Sequence, residues 1–510
     1  MRHAVRRLAP FALIAIAAAS LAAATVGAES RKKPAPQPVL HAKKATEHDA
    51  ADGSSPAAGA LLQALVDAKA VAKSRLGVAV YDLETGRYTH VHAHDVALNP
   101  ASNAKLLTAA AALGLLGGGH TFATTVTGAL EGGTVHGPLV LRGHGDPSFS
   151  SADVASLSEQ MAANGVRSIK GSILVDQGFF DDSFVPPAFE QQENEWAPFR
   201  ASTSALALDG NTVTLIVAAS ERGKSAVVRV EPEGAALVEG EIRCDSGTGD
   251  SPQLELRAEA DGLHAKVSGS IRPGHHSLRY VRRAHDPRLL VGHALKRSLG
   301  RLGIAVEGGV ALGSAPETRL IAEHVSQPLA ALLFRVGKES DNFYAEMIFR
   351  TLDAEKKGKR GVSADAAHEV QAFVEGIGAG GDGLSVTNGS GLFDANRVSA
   401  SMLARLLSWA WREPSVHPEF VSLLAVGGVD GTLRSRFKDA ELRGRIRAKT
   451  GTLEHAASLA GYILRPDGRR PVVFALIAND VNDVPGARVA FDTFVRGVLT
   501  ESDASFAAPP

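Results

Sequence analysis

The sequence has very little of what several protein classes require. One cysteine, Cys244, occurs in 510 residues, so the chain cannot form an internal disulfide or a multi-cysteine zinc or iron–sulfur site. Lysine and arginine number 54 against 55 aspartate and glutamate, which excludes the basic surplus of a nucleic-acid-binding protein. Hydrophobic residues make up 45% and charged residues 21%, which excludes a disordered or collagen-like chain. The length suits about three domains with a large buried core.

Several signatures of catalysis and cofactor binding are absent as well. The sequence contains no H-E-x-x-H zinc motif and no G-x-S-x-G nucleophile elbow. Residues 218–225 end in Gly-Lys-Ser like a phosphate-binding loop, but the first position is Ala218 instead of glycine. The residues that follow, 226–230, favour a strand where a phosphate site needs a helix N-terminus. We therefore expect no metal and no organic cofactor.

The first thirty residues have the pattern of a secretory signal. Three arginines precede an apolar run over residues 10–25, and small residues follow up to Ala28. The run is short for a bilayer-spanning helix, which needs about 20 residues. We expect residues 1–28 to be a signal peptide, with an uncleaved membrane anchor as the alternative. Cleavage would leave 51 basic and 55 acidic residues in a mildly acidic exported protein.

Composition and periodicity divide the remaining chain into four segments. Residues 29–59 are rich in Lys, Ala, Pro and Gly and predict a disordered linker. Residues 60–122 combine strand patterns with an alanine- and leucine-rich helix over residues 101–116. Short β segments separated by Gly, Asp and Pro turns follow over residues 123–320. Helical periodicity then returns, and an apolar hairpin is predicted around residues 465–470.

Three Ser-x-x-Lys patterns occur, and their surroundings differ. The first lies in the linker, and Ser435/Lys438 lies in a basic, loop-like stretch. Ser102 and Lys105 lie in the first turn of the apolar helix, on one face. A helix N-terminus favours a developing anion, and burial lowers the pKa of a lysine that must accept the serine proton. Ser102 is the candidate nucleophile, with a pair of ordinary helix residues as the alternative.

Two further tripeptides strengthen the interpretation of Ser102 and Lys105 as catalytic residues. The only Ser-x-Asn lies at residues 340–342 and begins a helix-like segment, and the only Lys-Thr-Gly lies at residues 449–451 before the apolar hairpin. A strand there would turn threonine side chains to one face and bring backbone close to a ligand at Gly451. A helix cap and a strand-edge turn are the respective alternatives. All three motifs in this order are a signature of β-lactamases and penicillin-binding proteins.

Other stretches match one branch of these enzymes. They are residues 100–108 (PASNAKLLT), 143–147 (GHGDP), 204–206 (SAL), 388–392 (NGSGL), 449–453 (KTGTL) and 458–462 (SLAGY). Over residues 60–500 the chain resembles the D-Ala-D-Ala carboxypeptidase/endopeptidase family of class C penicillin-binding proteins. That branch has an insertion between its first two motifs, which agrees with the 238 residues between Ser102 and Ser340. One departure is Asn388, where the family more often has aspartate.

The resemblance implies the fold and the domain order. It implies an α/β (α+β) protein with a penicillin-binding-protein/β-lactamase-like transpeptidase domain, built from an antiparallel sheet and helices. In this arrangement residues 60–122 and 321–503 form the catalytic domain. Residues 123–320 form inserted β-rich domains.

The resemblance also implies the activity and the role of each site residue. Peptidoglycan stem peptides are the substrates, β-lactam antibiotics bind, and the reaction passes through a serine ester. Ser102 is the nucleophile, Lys105 accepts its proton, and Ser340 passes a proton to the leaving amine. The backbone N–H groups of Ser102 and Thr452 form the oxyanion hole. Substrate binding is assigned to Asn342, Lys449, Thr450, Gly451 and Thr452, and Lys449 is expected to lend a positive charge to it.

Three other functions share parts of this pattern. A DD-endopeptidase uses the same machinery, and this activity is expected beside the carboxypeptidase. A β-lactamase shares the trio, but the long insertion argues against it. A catalytically inactive wall-binding scaffold would be free to lose one of the motif residues, so the intact motifs argue against it. The expected location is the periplasm or the cell-wall space, without stable membrane insertion after signal cleavage, since residues 500–510 contain no amphipathic anchor.

Overall fold

The structure is a computed structural model, and it describes most of the chain after the predicted linker. The described residues are 56–193, 195–245, 250–259, 262–316, 318–358, 360–465 and 468–507. The predicted signal peptide and nearly all of the predicted linker lie outside them. The first described helix, α1 (Pro56–Val66), begins before Leu61, where the apolar periodicity starts. Alanines at the start of this segment favour a helix without adding to the apolar pattern.

One antiparallel sheet unites the beginning and the end of the described chain. Six described strands form it, in the order β18 (Ala425–Val426), β19 (Ile446–Leu453), β20 (Ala456–Ile463), β21 (Val472–Asn479), β1 (Arg75–Asp82) and β2 (Arg87–His92). Strands β20 and β21 form the predicted hairpin, with Ala456 opposite Asn479. Strand β1 pairs with β21, so residues far apart in the sequence share one sheet.

Helices cover both faces of this sheet. Alternate residues of β21 belong to different cores, because side chains along a strand point to opposite faces. Val473 and Ile477 pack in a core with six helices, and Phe474 and Leu476 pack in a core with α1 and the last helix. Burial on both faces explains why this strand is apolar from Val472 to Ala478. The six helices are α2 (Ala104–Leu116), α5 (Leu329–Lys338), α6 (Asn342–Lys357), α7 (Ser363–Gly376), α8 (Ala400–Arg412) and α9 (His417–Leu423), and the last helix is α10 (Val484–Ala507).

Helix α2 lies inside the larger core. Residues 104–113 are all buried, so an alanine- and leucine-rich sequence without a polar face fits its position. A 3₁₀ turn, Ala101–Asn103, leads into it. Over the described ranges, no helix combines the length and the apolar character that crossing a bilayer requires.

The chain between α2 and α5 contains the other described sheets. Its largest sheet has seven described strands, β3 (Ala123–Glu131), β4 (Thr134–Gly143), β5 (Ser168–Ile169), β6 (Ile173–Asp176), β15 (Ala305–Val306), β16 (Val310–Leu312) and β17 (Arg319–Val325). Helices α3 (Ser151–Ala163) and α4 (Leu290–Arg301) pack on it. Three small sheets are formed by β7 (Thr212–Ala218), β8 (Val227–Glu231) and β14 (Leu278–Arg283), by β9 (Leu237–Gly240), β11 (Gln253–Glu259) and β12 (Gly262–Ser268), and by β10 (Arg243–Cys244) and β13 (Ser270–Ile271).

The entry and exit of this β-rich segment lie side by side. Strand β3 begins the segment and β17 ends it, and the two pair with Ala123 opposite Val325. Directly beyond them, the Leu329 N–H donates to the His120 carbonyl at 2.7 Å. The chain therefore leaves and rejoins the α2–α5 region at one place. This geometry lets helices on either side of the segment pack against each other.

Candidate active site

Ser102 lies in the 3₁₀ turn directly before α2. The sequence placed it in the helix itself, and the structure places it just ahead, where a spacing of three still brings it beside Lys105. The preceding residue, Ala101, has a φ of 48°, which non-glycine residues rarely adopt. The Ala101 N–H donates to the Asn99 side-chain oxygen at 2.9 Å, which holds the turn in this conformation. Ser102 is therefore presented on a strained, fixed turn.

Lys105 is buried one turn behind Ser102. Its Nζ donates to Ser102 Oγ at 3.0 Å, to Asn342 Oδ1 at 2.7 Å and to the Ser390 carbonyl at 2.6 Å. Burial lowers the pKa of Lys105 to about 7. The neutral amine keeps N–H donors for Asn342 and Ser390 and turns its lone pair to the Ser102 hydroxyl. The geometry and the pKa both suit a base that takes the serine proton.

A buried carboxylate that sequence reasoning missed lies behind Lys105. Glu346 accepts backbone N–H groups from Gly389 at 3.1 Å and from Ser390 at 2.8 Å. Burial raises the pKa of Glu346, and its negative charge raises the pKa of Lys105 against the larger effect of burial. The available signal was a glutamate within the apolar face of a predicted helix, where an acid is rarely buried without a partner.

The Ser340 motif lies at the start of α6, facing Lys105. Asp341 caps the helix and accepts the Tyr344 N–H at 3.1 Å, while Ser340 has a φ of 60°. Asn342 therefore begins the helix with its side chain shared between two partners. Its Oδ1 accepts from Lys105, and its Nδ2 donates to the Phe199 carbonyl at 3.0 Å. Phe199 belongs to the β-rich segment, so that segment contributes to the wall of the site.

Lys449 links the third motif to the second through a hydrogen bond. It is buried on β19, and its Nζ donates to Ser340 Oγ at 2.8 Å and to the Thr450 carbonyl at 2.6 Å. Burial, with a smaller contribution from Lys105, lowers the pKa of Lys449 well below its usual value. The positive charge expected of Lys449 is therefore unfavourable at this buried position. An anion bound beside it would raise the pKa again.

Gly451 allows β19 to lie against the turn that carries Ser102. A Cβ added at Gly451 would lie 2.1 Å from Ser458 Oγ and 2.7 Å from the Pro100 carbonyl. Ser458 Oγ itself donates to the Pro100 carbonyl at 2.6 Å and accepts from Asn103 Nδ2 at 2.7 Å. No side chain fits between these atoms, so the third position of the motif must be glycine.

We expect Gly451→Ala to destabilise the protein by about 1–3 kcal/mol, because the added methyl group must displace backbone as well as Ser458. The Tm in a thermal unfolding experiment measures this effect. Gly119→Ala is the matched control, since a Cβ there meets nothing within 4 Å. Equal Tm values for the two variants would contradict the close packing of β19 on the Ser102 turn.

Thr450 and Thr452 lie two residues apart on β19 and share one side of the strand. Thr450 Oγ1 donates to Thr432 Oγ1 at 2.9 Å. Thr452 is exposed, and its Oγ1 accepts from Arg488 Nη2 at 2.6 Å. Neither Thr432 nor Arg488 was identified from the sequence, because neither lies in or beside a recognisable motif.

The side-chain amide of Asn388 fixes the loop whose Ser390 carbonyl accepts a hydrogen bond from Lys105. Its Oδ1 accepts the Gly391 N–H at 2.9 Å, and its Nδ2 donates to the carbonyls of Pro187 at 3.0 Å and Leu392 at 3.2 Å. An aspartate at this position would lack the two donors. The departure from the family pattern therefore gives this chain a direct link between the Ser390 loop and the β-rich segment.

A cavity of about 500 Å³ lies next to these residues. Its wall includes Phe199, whose carbonyl holds Asn342, Leu392 of the Ser390 loop, and Leu453 beside Thr452. Charged side chains of both signs also line it, namely Arg75, Asp394, Arg397, Glu454 and Asp480. A space with apolar and charged walls therefore adjoins the site.

Comparison with known proteins identifies the family. The sequence model of the D-Ala-D-Ala carboxypeptidase 3 (S13) family matches residues 57–497, which is most of the chain. The chain belongs to this family. This family assignment confirms the resemblance that the three motifs indicated.

Individual relatives of this S13 family member cover most of its length. It is 30% identical over 437 residues to the D-alanyl-D-alanine carboxypeptidase of an Actinomadura species, covering 82% of this chain and 80% of the relative. It is 26% identical over 409 residues to the D-alanyl-D-alanine carboxypeptidase DacB of Haemophilus influenzae, covering 78% and 81%. The crystal structure of penicillin-binding protein 4 from Haemophilus influenzae superposes with a TM-score of 0.73 at 23% identity, covering 87% of this chain and 98% of that chain. The predicted fold class is confirmed.

Proposed function

We propose that this protein is a serine-type D-Ala-D-Ala carboxypeptidase and DD-endopeptidase that acts on peptidoglycan stem peptides and binds penicillins. One observation carries the proposal. A buried lysine amine with a pKa of about 7 lies 3.0 Å from the hydroxyl of Ser102. Family membership and the names of the curated relatives support the reaction class.

The proposed acylation step uses the Ser102 turn. Lys105 takes the Ser102 proton as Oγ attacks the carbonyl between two terminal D-alanines, which forms the C–O bond. The carbonyl oxygen becomes an oxyanion and is held by the N–H groups of Ser102 and Thr452. Such donors contribute roughly 3–4 kcal/mol each to the transition state. Collapse of the intermediate breaks the C–N bond and leaves an ester on Ser102.

The departing D-alanine needs a proton, and Ser340 is placed to pass it on. Ser340 relays to the amine the proton that Lys105 took from Ser102, so Lys105 is neutral again, and the hydrogen bond from Lys449 holds Ser340 Oγ in place. Water then attacks the ester, with Lys105 again accepting a proton. The shortened stem peptide leaves with a new carboxylate and Ser102 regains its hydroxyl.

Substrate orientation is proposed for the rest of the motif residues. Asn342 faces the substrate's peptide amide, and the hydroxyls of Thr450 and Thr452 bind its terminal carboxylate. That carboxylate would raise the pKa of Lys449 and restore its positive charge during binding. Gly451 contributes through the close approach of its backbone.

We also infer the domain order and location that the sequence predicts. Residues 60–122 and 321–503 form the catalytic domain, and residues 123–320 form the insertion. The shared sheet of β1 with β21 and the separate sheets between α2 and α5 support this division. Residues 1–28 direct export to the periplasm or cell-wall space. Mass spectrometry of the protein from its native host should find an N-terminus near residue 29, and an intact Met1 would contradict cleavage.

The activity is tested with labelled penicillin and with a stem pentapeptide. We expect release of one D-alanine and a long-lived penicillin adduct, which mass spectrometry locates on the peptide that contains Ser102. Rapid release of hydrolysed penicillin would indicate a β-lactamase instead. Absence of both adduct and D-alanine release would indicate an inactive scaffold. Cross-linked muropeptides then measure the endopeptidase activity separately.

The rate of acylation should fall in acidic solution, where Lys105 becomes protonated. Glu346→Gln is expected to move this fall in rate to lower pH. The carboxylate of Glu346 raises the pKa of Lys105, so its removal lowers that pKa and keeps Lys105 neutral in more acidic solution. Penicillin acylation rates between pH 5 and 8, compared with the exposed-residue control Glu375→Gln, provide the measurement. If the fall in rate moved to higher pH instead, this electrostatic role of Glu346 would be contradicted.

A further inference from the structure

Arg488 is a charged residue beside Thr452, and it belongs to none of the three motifs. Its guanidinium donates to Thr452 Oγ1 at 2.6 Å, and both side chains are exposed. Thr452 accepts this hydrogen bond and so keeps its own hydroxyl proton for a further acceptor. A guanidinium and a free O–H donor therefore lie side by side at the end of β19.

Helix α10 holds Arg488 in this position. Asp483 caps the helix and accepts the Gly486 N–H at 2.9 Å. Ala487 and Phe491 are buried in the core under the sheet, so the neighbouring Arg488 lies at the edge of the helix that faces the end of β19. The rigid helix, and not a loop, sets the distance from Arg488 to Thr452.

The charge of Arg488 is not neutralised by the acids around it. Asp492, one turn further along α10, pairs with Arg436, and the exposed Glu454, two residues after Thr452, lies 3.9 Å from His455. Among the ion pairs between described residues, none includes Arg488. Only one of its five N–H donors is used by Thr452, so the planar group retains donors for an anion.

We propose that Arg488 is a carboxylate-binding residue that, with Thr452, receives the C-terminal carboxylate of the substrate. The proposal rests on the proposed function, because Thr452 is assigned to that end of the peptide. The guanidinium binds one carboxylate oxygen, and the Thr452 hydroxyl binds the other. A permanently charged arginine here also compensates for Lys449, whose pKa is lowered by burial. Arg488 makes the site selective for a free carboxylate over a neutral end.

Two peptides test this selectivity: one ends in D-Ala-D-Ala with a free carboxylate, and the other has the same sequence with a C-terminal amide. In Arg488→Gln we expect KM for the carboxylate peptide to rise about tenfold or more with little change in kcat, since a charge-assisted hydrogen bond is lost. Turnover of the amide should stay the same. Arg488→Lys should restore part of the affinity. Arg496→Gln, a substitution further along the same helix at a residue that pairs with Asp439, is the matched control.

The same comparison is made without turnover, as binding of both peptides to Ser102→Ala with and without Arg488→Gln. Weaker binding of the carboxylate peptide alone supports the proposal whether or not the wild-type protein cleaves it. Equal loss for both peptides, or no loss for either, overturns it. Failure of the wild-type protein to release D-alanine or to form a penicillin adduct refutes the proposed function, and the binding measurement still decides the role of Arg488.

Discussion

Replacing Ser102 with alanine is expected to abolish both the penicillin adduct and the release of D-alanine. The substitution removes the atom that forms the ester, so no acyl-enzyme can form, and the expected loss is at least about 10⁴-fold. The fold should survive, because Ser102 is only half-buried and Lys105 keeps its hydrogen bonds to Asn342 and Ser390. The measurement is intact-protein mass spectrometry after incubation with penicillin, together with a Tm.

Ser435→Ala is the matched control for this variant. Ser435 and Lys438 repeat the Ser-x-x-Lys spacing, but both are exposed and both lie outside helices and strands. The control should form the adduct at the wild-type rate. An adduct that persists in Ser102→Ala and disappears in Ser435→Ala would show that the wrong serine has been identified.

Lys105→Met is expected to slow acylation by about 10²–10⁴-fold, the usual contribution of a general base. Methionine is similar in length and apolar, so it suits a buried position but cannot accept a proton. In the wild-type protein the base must be neutral, and its pKa is about 7. The acylation rate should therefore fall below pH 7 and approach a tenfold decrease per pH unit.

Lys438→Met provides the control, with an unchanged rate and pH profile. The test is the rate of penicillin acylation from pH 5 to 8 for the wild type and both variants. A wild-type rate that does not change over this range would contradict Lys105 as the base. So would a Lys105→Met variant that acylates as fast as the wild type.

The sequence by itself identified the parts of the molecule that depend on local pattern. An apolar helix could follow Ser102 only inside a core, and β21 is apolar up to Ala478 because both of its faces are buried. The residues of each motif lie within three positions of one another along the chain, so their types and spacing can be found without coordinates. Family and fold class followed from them.

Contacts between distant segments could be established only from the tertiary structure. Asn342 meets Lys105 across 237 residues of sequence, and Phe199 reaches Asn342 from the β-rich segment across 143. The roles of Glu346 and Arg488 also depend on such contacts, because the position of Glu346 on an apolar helix face indicates only that it is buried, and Arg488 has no local signature.

Protonation likewise depends on surroundings that no motif specifies. The sequence predicted a lowered pKa for Lys105, and burial in the folded protein brings it to about 7. It also predicted a positive charge on Lys449, which the same burial disfavours until an anion binds. Residue types and their order are properties of the chain, whereas desolvation and the distance between charges exist only once the chain has folded.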